Sequence, residues 1–171
     1  EIASSYLWDF EDGPQGWTHT NGLAFPAGWA VQASGLHANA VSPDPGDSSM
    51  WIDSDATGNS VTIFDTCYSP VVVPPTNMKW FKWGCGYQNL SNIDTFTVCF
   101  QTFSGGIWQT PVEVARYNSD IGPNIWDSVD VSAYMTADSI QLFFAYGNAN
   151  YAWYASFDNV SLFAPAAHDV G

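Results

Sequence analysis

Thr95-Phe96-Thr97-Val98-Cys99-Phe100-Gln101-Thr102-Phe103, running into Ser104-Gly105-Gly106, decides the fold class of this chain. The run is long, aromatic and β-branched, the character of a central strand, and residues 78–87 share it, so the two are expected to pair. Ser104-Gly105-Gly106 supplies the turn into a further strand over 107–117, which predicts a hairpin. Outward from it, strands are expected over 126–131, 139–146 and 155–163, the last two joined by Gly147-Asn148-Ala149-Asn150. Toward the N-terminus the apolar runs are shorter: 29–32, 35–41, 48–52, 61–64 and a piece ending in Cys67-Tyr68-Ser69-Pro70. Turn-forming residues separate them and helical periodicity is scarce. The expected fold class is all-β, a two-sheet antiparallel β-sandwich, and the long early connections favour a jelly roll over a meander.

The opening Trp8-Asp9-Phe10-Glu11-Asp12-Gly13-Pro14-Gln15-Gly16-Trp17 alternates apolar and acidic residues, as a strand with one buried face does. Asp12-Gly13-Pro14 then reverses the chain before Trp17 returns to the core. An acid at the end of such a strand needs a cation or several donors to hold its charge beside a core. Residues 1–5 read as a lead-in, 6–163 as a single module and 164–171, opening with Ala164-Pro165-Ala166-Ala167, as a linker or tail. That organisation suits a module tethered to other domains of a longer chain.

A length of 171 residues holds one domain with a sizeable core. Only Lys79, Lys82 and Arg116 are basic, against 17 acids, for a net charge of −14. Nucleic acid is excluded as a partner, because neutralising phosphates takes a basic surface, and anionic membranes are disfavoured for the same reason. No run is apolar and long enough for membrane insertion. The acidic excess suits a secreted, extracellular protein, and halophilic adaptation looks similar. Cys67, Cys85 and Cys99 lack metal-ligand spacing. Either Cys85 and Cys99 face one another across neighbouring strands as a disulfide, or all three are buried small hydrophobes.

Landmarks recur in the order Asp9-Phe10-Glu11 with Gly16-Trp17, Cys67-Tyr68-Ser69-Pro70 with Met78-Lys79-Trp80-Phe81, Ile125-Trp126, and Phe157-Asp158-Asn159-Val160. That order resembles MAM-type and cleaved-adhesin jelly rolls and the related galactose-binding-like carbohydrate-binding modules. The regular cysteine framework of animal MAM domains is missing. The resemblance implies a binding or adhesion module of a secreted or cell-surface protein. It also implies a structural Ca2+ between the first and last strands, with Glu11 and Asp158 as ligands. Such an ion takes six to eight oxygens, so carbonyls, for instance from residues 46–49, and water would complete the shell. Without an ion, both acids would bond to backbone at strand ends.

Asp53-Ser54-Asp55-Ala56-Thr57-Gly58 is a second cation candidate, through Asp53 and Asp55, because oxygen side chains alternate ahead of a glycine. The acid expected at the twelfth position is Phe64, so a solvated hairpin is the simpler reading. Catalysis has no foothold. His19, His37 and His168 are scattered without a zinc pattern, and Gly46-Asp47-Ser48 lacks a nucleophile elbow. Asn89-Leu90-Ser91 and Asn159-Val160-Ser161 match the N-glycosylation pattern.

The nine tryptophans carry the stronger signal. Trp8, Trp17, Trp80, Trp83 and Trp126 fit core positions, whereas Trp29, Trp51, Trp108 and Trp153 lie beside loops, with Tyr151 and Tyr154 near the last. Exposed rings stack on the C–H faces of sugars while nearby amides meet hydroxyls, so Trp108, Trp153 and Tyr151 are expected to form a carbohydrate-binding cluster. The expected function is a non-catalytic, calcium-stabilised, carbohydrate-binding module. The alternative is a protein-binding adhesion or spacer module attached to an extracellular enzyme or adhesin.

Overall fold

A computed structural model of the protein describes residues 5–33, 47–90 and 94–164. The expected strand over 35–41, His37, His168 and the rest of the tail over 165–171 lie outside the described residues. Among the described residues, twelve strands form two antiparallel sheets. They are β1 (Ser5–Trp8), β2 (Thr18–His19), β3 (Ala30–Ala33), β4 (Ser48–Asp53), β5 (Ile63–Tyr68), β6 (Trp80–Tyr87), β7 (Thr95–Ser104), β8 (Ile107–Trp108), β9 (Val112–Tyr117), β10 (Ile121–Asp130), β11 (Ser139–Ala149) and β12 (Tyr154–Phe163). Sheet A has the order β10-β6-β12-β4-β3, with β1 on β12; sheet B has β2-β5-β11-β7-β8, with β9 on β7. The all-β jelly-roll sandwich expected from the sequence is the observed architecture.

Alternation builds the core. Along β11, Ile140, Leu142, Phe144 and Tyr146 point inward; along β6, Phe81, Trp83, Cys85 and Tyr87 do the same, and all are buried. The sheets meet where Phe144 of β11 stacks on Phe157 of β12, with centroids 3.9 Å apart and planes within 7°. Trp17 packs on both rings. Burying each such ring stabilises the fold by roughly 1.5–3 kcal/mol.

The hairpin around Gly105-Gly106 forms as expected, with β8 and β9 both pairing β7 along one edge. The pairing expected between 78–87 and 95–103 does not: β6 belongs to sheet A and β7 to sheet B. The chain crosses the sandwich between them, because both are central strands of separate sheets. The Cys85–Cys99 bridge falls with it, and all three cysteines are free and buried.

Two local expectations are corrected. The opening strand ends at Trp8, and Phe10 takes a left-handed φ of 57° that tucks its ring into the core. Residues 53–58 are not a hairpin: Ser54–Thr57 is one helical turn, α1, capped by the Asp53 carboxylate accepting from Ala56 N at 3.0 Å.

Candidate functional site

Sheet B carries inward core residues on one face, so the intervening residues form its outer face. In register across β5, β11, β7 and β9 these are Phe64–Gly147–Thr95, then Thr66–Ala145–Thr97–Arg116, then Tyr68–Phe143–Cys99–Glu113. Gln141 and Gln101 follow, and Phe103 with Trp108 of β8 ends the face. The floor is made of small residues, Gly147, Ala145 and three threonines. Phe64 rises beside it, 63% exposed, and its ring flanks Gly147.

Tyr68 and Phe143 form a ring pair with centroids 5.1 Å apart. Beyond them the two amides are fixed: Gln101 Nε2 donates to Gln141 Oε1 at 3.1 Å, and Gln141 Nε2 donates to the Ser69 carbonyl at 2.9 Å. The opposite wall is an Arg116–Glu113 fork, with Nε to Oε1 at 2.9 Å and Nη2 to Oε2 at 2.6 Å. This pair holds the Glu113 carboxyl below its usual range, the Arg116 hydrogen bond being the main cause. Burial, and then the Glu113 carboxylate, push the Cys99 thiol up to about 11. The face therefore offers the exposed Phe64 ring, a half-buried Tyr68 packed on the buried Phe143, held amides and a charged fork around a low floor. It can hold a ligand that has both apolar faces and hydroxyl groups.

The expected trio of Trp108, Trp153 and Tyr151 does not come together. Trp108 lies at the Phe103 end of this face, whereas Tyr151 and Trp153 follow Ala149 at the opposite end of β11. The 11 residues of β11, at about 3.3 Å each, put the two ends roughly 30 Å apart. The sequence reading missed Phe64, Tyr68, Phe143, Gln101, Gln141, Glu113 and Arg116. Strand parity was the available signal: outward positions on β7 and β11 carry Thr, Gln, Ala and Gly between inward Phe, Val, Leu and Ile.

Several tryptophan assignments also change. Trp29 and Trp51 are buried and Trp126 is 51% exposed. Trp126 stands opposite Gly84 on the outer row of sheet A, with Lys82 Nζ 5.0 Å from its ring, while Trp51 is covered by Tyr154, Phe25 and Trp153.

Two of the acids named for calcium, Glu11 and Asp158, lie near one seam, close enough for Glu11 to act on the Asp158 carboxyl. Along one edge, β12 pairs first with β4 (Tyr154 to Phe157) and then with β1 (Val160 to Phe163). Asp158 sits where the partner changes, beside a register shift in the β6 ladder. Glu11 follows β1, and its Oε1 accepts from Ser48 N at 2.7 Å at the start of β4. Glu11 also shares a side-chain hydrogen bond with Asp47, which is the main cause raising its carboxyl above the usual value.

Asp158 is 1% exposed and its carboxyl is pushed up to about 8, first by burial and then by Asp47, Glu11 and Asp9. Asn159 opposes this, donating from N at 2.6 Å and from Nδ2 at 3.0 Å. Among the described residues no three His, Cys, Asp or Glu side chains stand close enough to hold a metal by themselves. The donor set is all oxygen, which fits a hard cation, and backbone carbonyls would have to contribute.

Other polar groups have structural partners. Asp65, 3% exposed, accepts from Thr20 N and Oγ1, Asn21 N and Trp29 N, and its Oδ2 lies 2.8 Å from His19 Nδ1. It thereby ties residues 19–29 to β5. Both glycosylation-pattern asparagines use their amides internally, Asn89 on Tyr87 and Asp94 and Asn159 on Asp158. A cavity of about 390 Å³ at the β2/β3 side is walled by core residues such as Trp17, Trp29, Met50 and Cys67. Its His19 is already engaged by Asp65, and it lacks the fixed amides and charged fork of the sheet B face. No helix among the described residues is long and apolar enough to cross a membrane.

No protein-family model and no curated protein matches the sequence. Solved structures do match. The K1 cleaved adhesin domain of Lys-gingipain from Porphyromonas gingivalis W83 aligns with a TM-score of 0.59 and 16% identity, over 95% of this chain and 99% of that one. TmCBM61, solved with β-1,4-galactotriose, aligns at 0.58 and 14%, over 91% and 94%. The CBM22-1–GH10 modules of Clostridium thermocellum xylanase 10B, complexed with xylohexaose, align at 0.55 and 14%, over 94% of this chain and 28% of that one. The shared property is the fold, the jelly-roll sandwich of cleaved-adhesin domains and carbohydrate-binding modules.

Proposed function

We propose that this chain is a non-catalytic carbohydrate-binding module of a secreted or cell-surface protein, tethered to other domains, which lays a neutral glycan on the outer face of sheet B. The observation that carries this reading is the low floor of Gly147, Ala145 and Thr97 between the Phe64 and Tyr68–Phe143 rings on one side and the Arg116–Glu113 fork on the other. Sugar C–H faces pack on the rings, and hydroxyls exchange hydrogen bonds with the Gln101–Gln141 amides and the fork. A protein of the same fold, TmCBM61, solved with β-1,4-galactotriose, supports a sugar as the class of ligand. The test is titration of the protein with xylohexaose and β-1,4-galactotriose, alone and as Phe64→Ala and Arg116→Ala variants. Binding that both variants weaken by about tenfold or more supports the reading. Full retention of binding in both would remove the face from consideration.

A structural Ca2+ at the β12 seam belongs to the same proposal, with Glu11 and Asp158 as carboxylate ligands and backbone carbonyls and water completing the shell. The ion would supply positive charge that lets Asp158 ionise inside the fold, and these residues would tie the first strand to the last. Asp53 is spent on capping α1, and Asp55 follows it in that turn, so this pair makes the weaker cation site. The alternative, a protein-binding adhesion or spacer module, is favoured by one observation: Trp126 and Ile125 stand exposed on edge strand β10. Loss of a protein partner on Trp126→Ala, with glycan binding intact, would mark that surface.

A further inference from the structure

We infer that the turn from β11 to β12 is a second, separate site for a neutral sugar, centred on Tyr151 and Trp153; this rests on the carbohydrate reading above. Three non-glycine residues around this short turn, Asn148, Tyr151 and Trp153, have φ of 57°, 50° and 62°. Left-handed backbone at bulky residues costs free energy and persists only where surrounding structure over-determines it, and such strain gathers at ligand clamps.

Here the surroundings do over-determine it. The Trp153 carbonyl accepts from Ser54 N at 2.8 Å, Asp55 N at 3.2 Å and Ser54 Oγ at 3.0 Å. Tyr146 OH donates to the Ala152 carbonyl at 3.1 Å, and Ala152 N donates to Ser54 Oγ at 2.9 Å. The turn is thereby bolted to α1 and to the core, so its side chains are held in place before any ligand arrives.

What this rigid frame displays is aromatic. Tyr151 is 49% exposed, and Trp153 is partly exposed above the buried Trp51–Tyr154 pair, on the sheet A side of the tip. None of the three cations of the chain lies in this turn or in α1, whereas Asp53 and Asp55 lie beside it. The charge excludes an anionic ligand, and pre-set ring faces beside acceptors suit a neutral, hydroxyl-rich one. Asn150 Nδ2 donates to Thr62 Oγ1 at 3.2 Å, so the turn borders the Phe64 end of the groove, but Phe64 stands on the outer face of sheet B whereas Trp153 packs on Trp51 and Tyr154 of sheet A.

The test is stoichiometry. Xylan, xylohexaose and β-1,4-galactotriose are titrated against the whole chain and against Tyr151→Gly, Tyr151→Phe and Phe64→Ala. Glycine suits the left-handed φ at 151, so Tyr151→Gly is expected to melt no lower than the parent while losing the ring. The expected result is two binding events. Tyr151→Gly loses one by about tenfold or more, Tyr151→Phe keeps it, and Phe64→Ala loses only the other. A single event that Tyr151→Gly leaves untouched overturns the second site and leaves the sheet B reading standing. A single event weakened by both variants means one shared site and overturns the inference as well. No binding to any of the three sugars overturns both readings.

Discussion

Phe64 and Gly147 face each other across the β5–β11 ladder, and a Cβ added to Gly147 would stand 3.6 Å from Phe64 Cδ1 and 3.7 Å from Thr95 Oγ1. The strand therefore has room for a methyl group at 147, and what lies above it is the floor of the proposed groove. The relationship separates stability from binding at a single position.

Gly147→Leu should fold, since a Cβ at this outward strand position meets only ordinary contacts and strand glycines are weakly destabilising. It should nevertheless fill the floor beside Phe64. The expected outcome is a melting temperature near that of the parent with glycan affinity reduced about tenfold or more. Unaltered affinity in a folded Gly147→Leu protein would place the ligand elsewhere.

The seam at Asp158 makes a prediction about metal removal. A ligand bound only to the folded state stabilises it by about 2.7 kcal/mol at a hundredfold excess over Kd. Calcium should raise the melting temperature, EDTA should lower it, and Asp158→Asn should abolish the difference. Identical melting curves in calcium and EDTA, with no calcium in elemental analysis, would remove the ion from the account.

The same residue sets a pH dependence in the metal-free protein. Burial raises the Asp158 carboxyl from 3.8 to about 8 in the folded chain, so the folded state holds a proton that the unfolded state has released across that window. Stability then falls as pH rises from about 4 to about 8, by a few kcal/mol at most. Calcium requires the ionised carboxylate and should flatten the fall. Denaturant titrations in EDTA across this range test it, with Asp158→Asn expected to show the smaller slope.

Asp65 gives a prediction independent of any ligand. Its carboxylate answers the backbone N–H groups of Thr20, Asn21 and Trp29 while buried. Asp65→Ala leaves those donors unanswered and should cost about 3 kcal/mol or more in urea denaturation, loosening residues 19–29 first. Asp65→Asn retains one acceptor and should lose less.

Legibility in the sequence followed the range of the interactions. The hairpin at Gly105-Gly106 was readable because its turn chemistry is local. The pairing of residues 78–87 with 95–103 was misread, since two adjacent hydrophobic strands look alike whether they share a sheet or face one another across a core. Trp51 and Trp126 were assigned to the wrong environments for a related reason. One is covered by Phe25, Trp153 and Tyr154 from distant segments, and the other stands over Gly84, and neither neighbour is local in sequence.

The site shows the same division. Composition alone, with three cations against 17 acids, argued against nucleic acid and left cations, neutral sugars and proteins as ligand classes. The strand pattern alone established the sandwich. Which rings share a face depended on register, because a one-residue slip moves every side chain of a strand to the other surface. Register therefore assembled Phe64, Tyr68, Phe143 and Arg116 on sheet B, kept Trp108 at the opposite end of β11 from Tyr151 and Trp153, and brought Glu11 and Asp158 near one seam across most of the length of the chain.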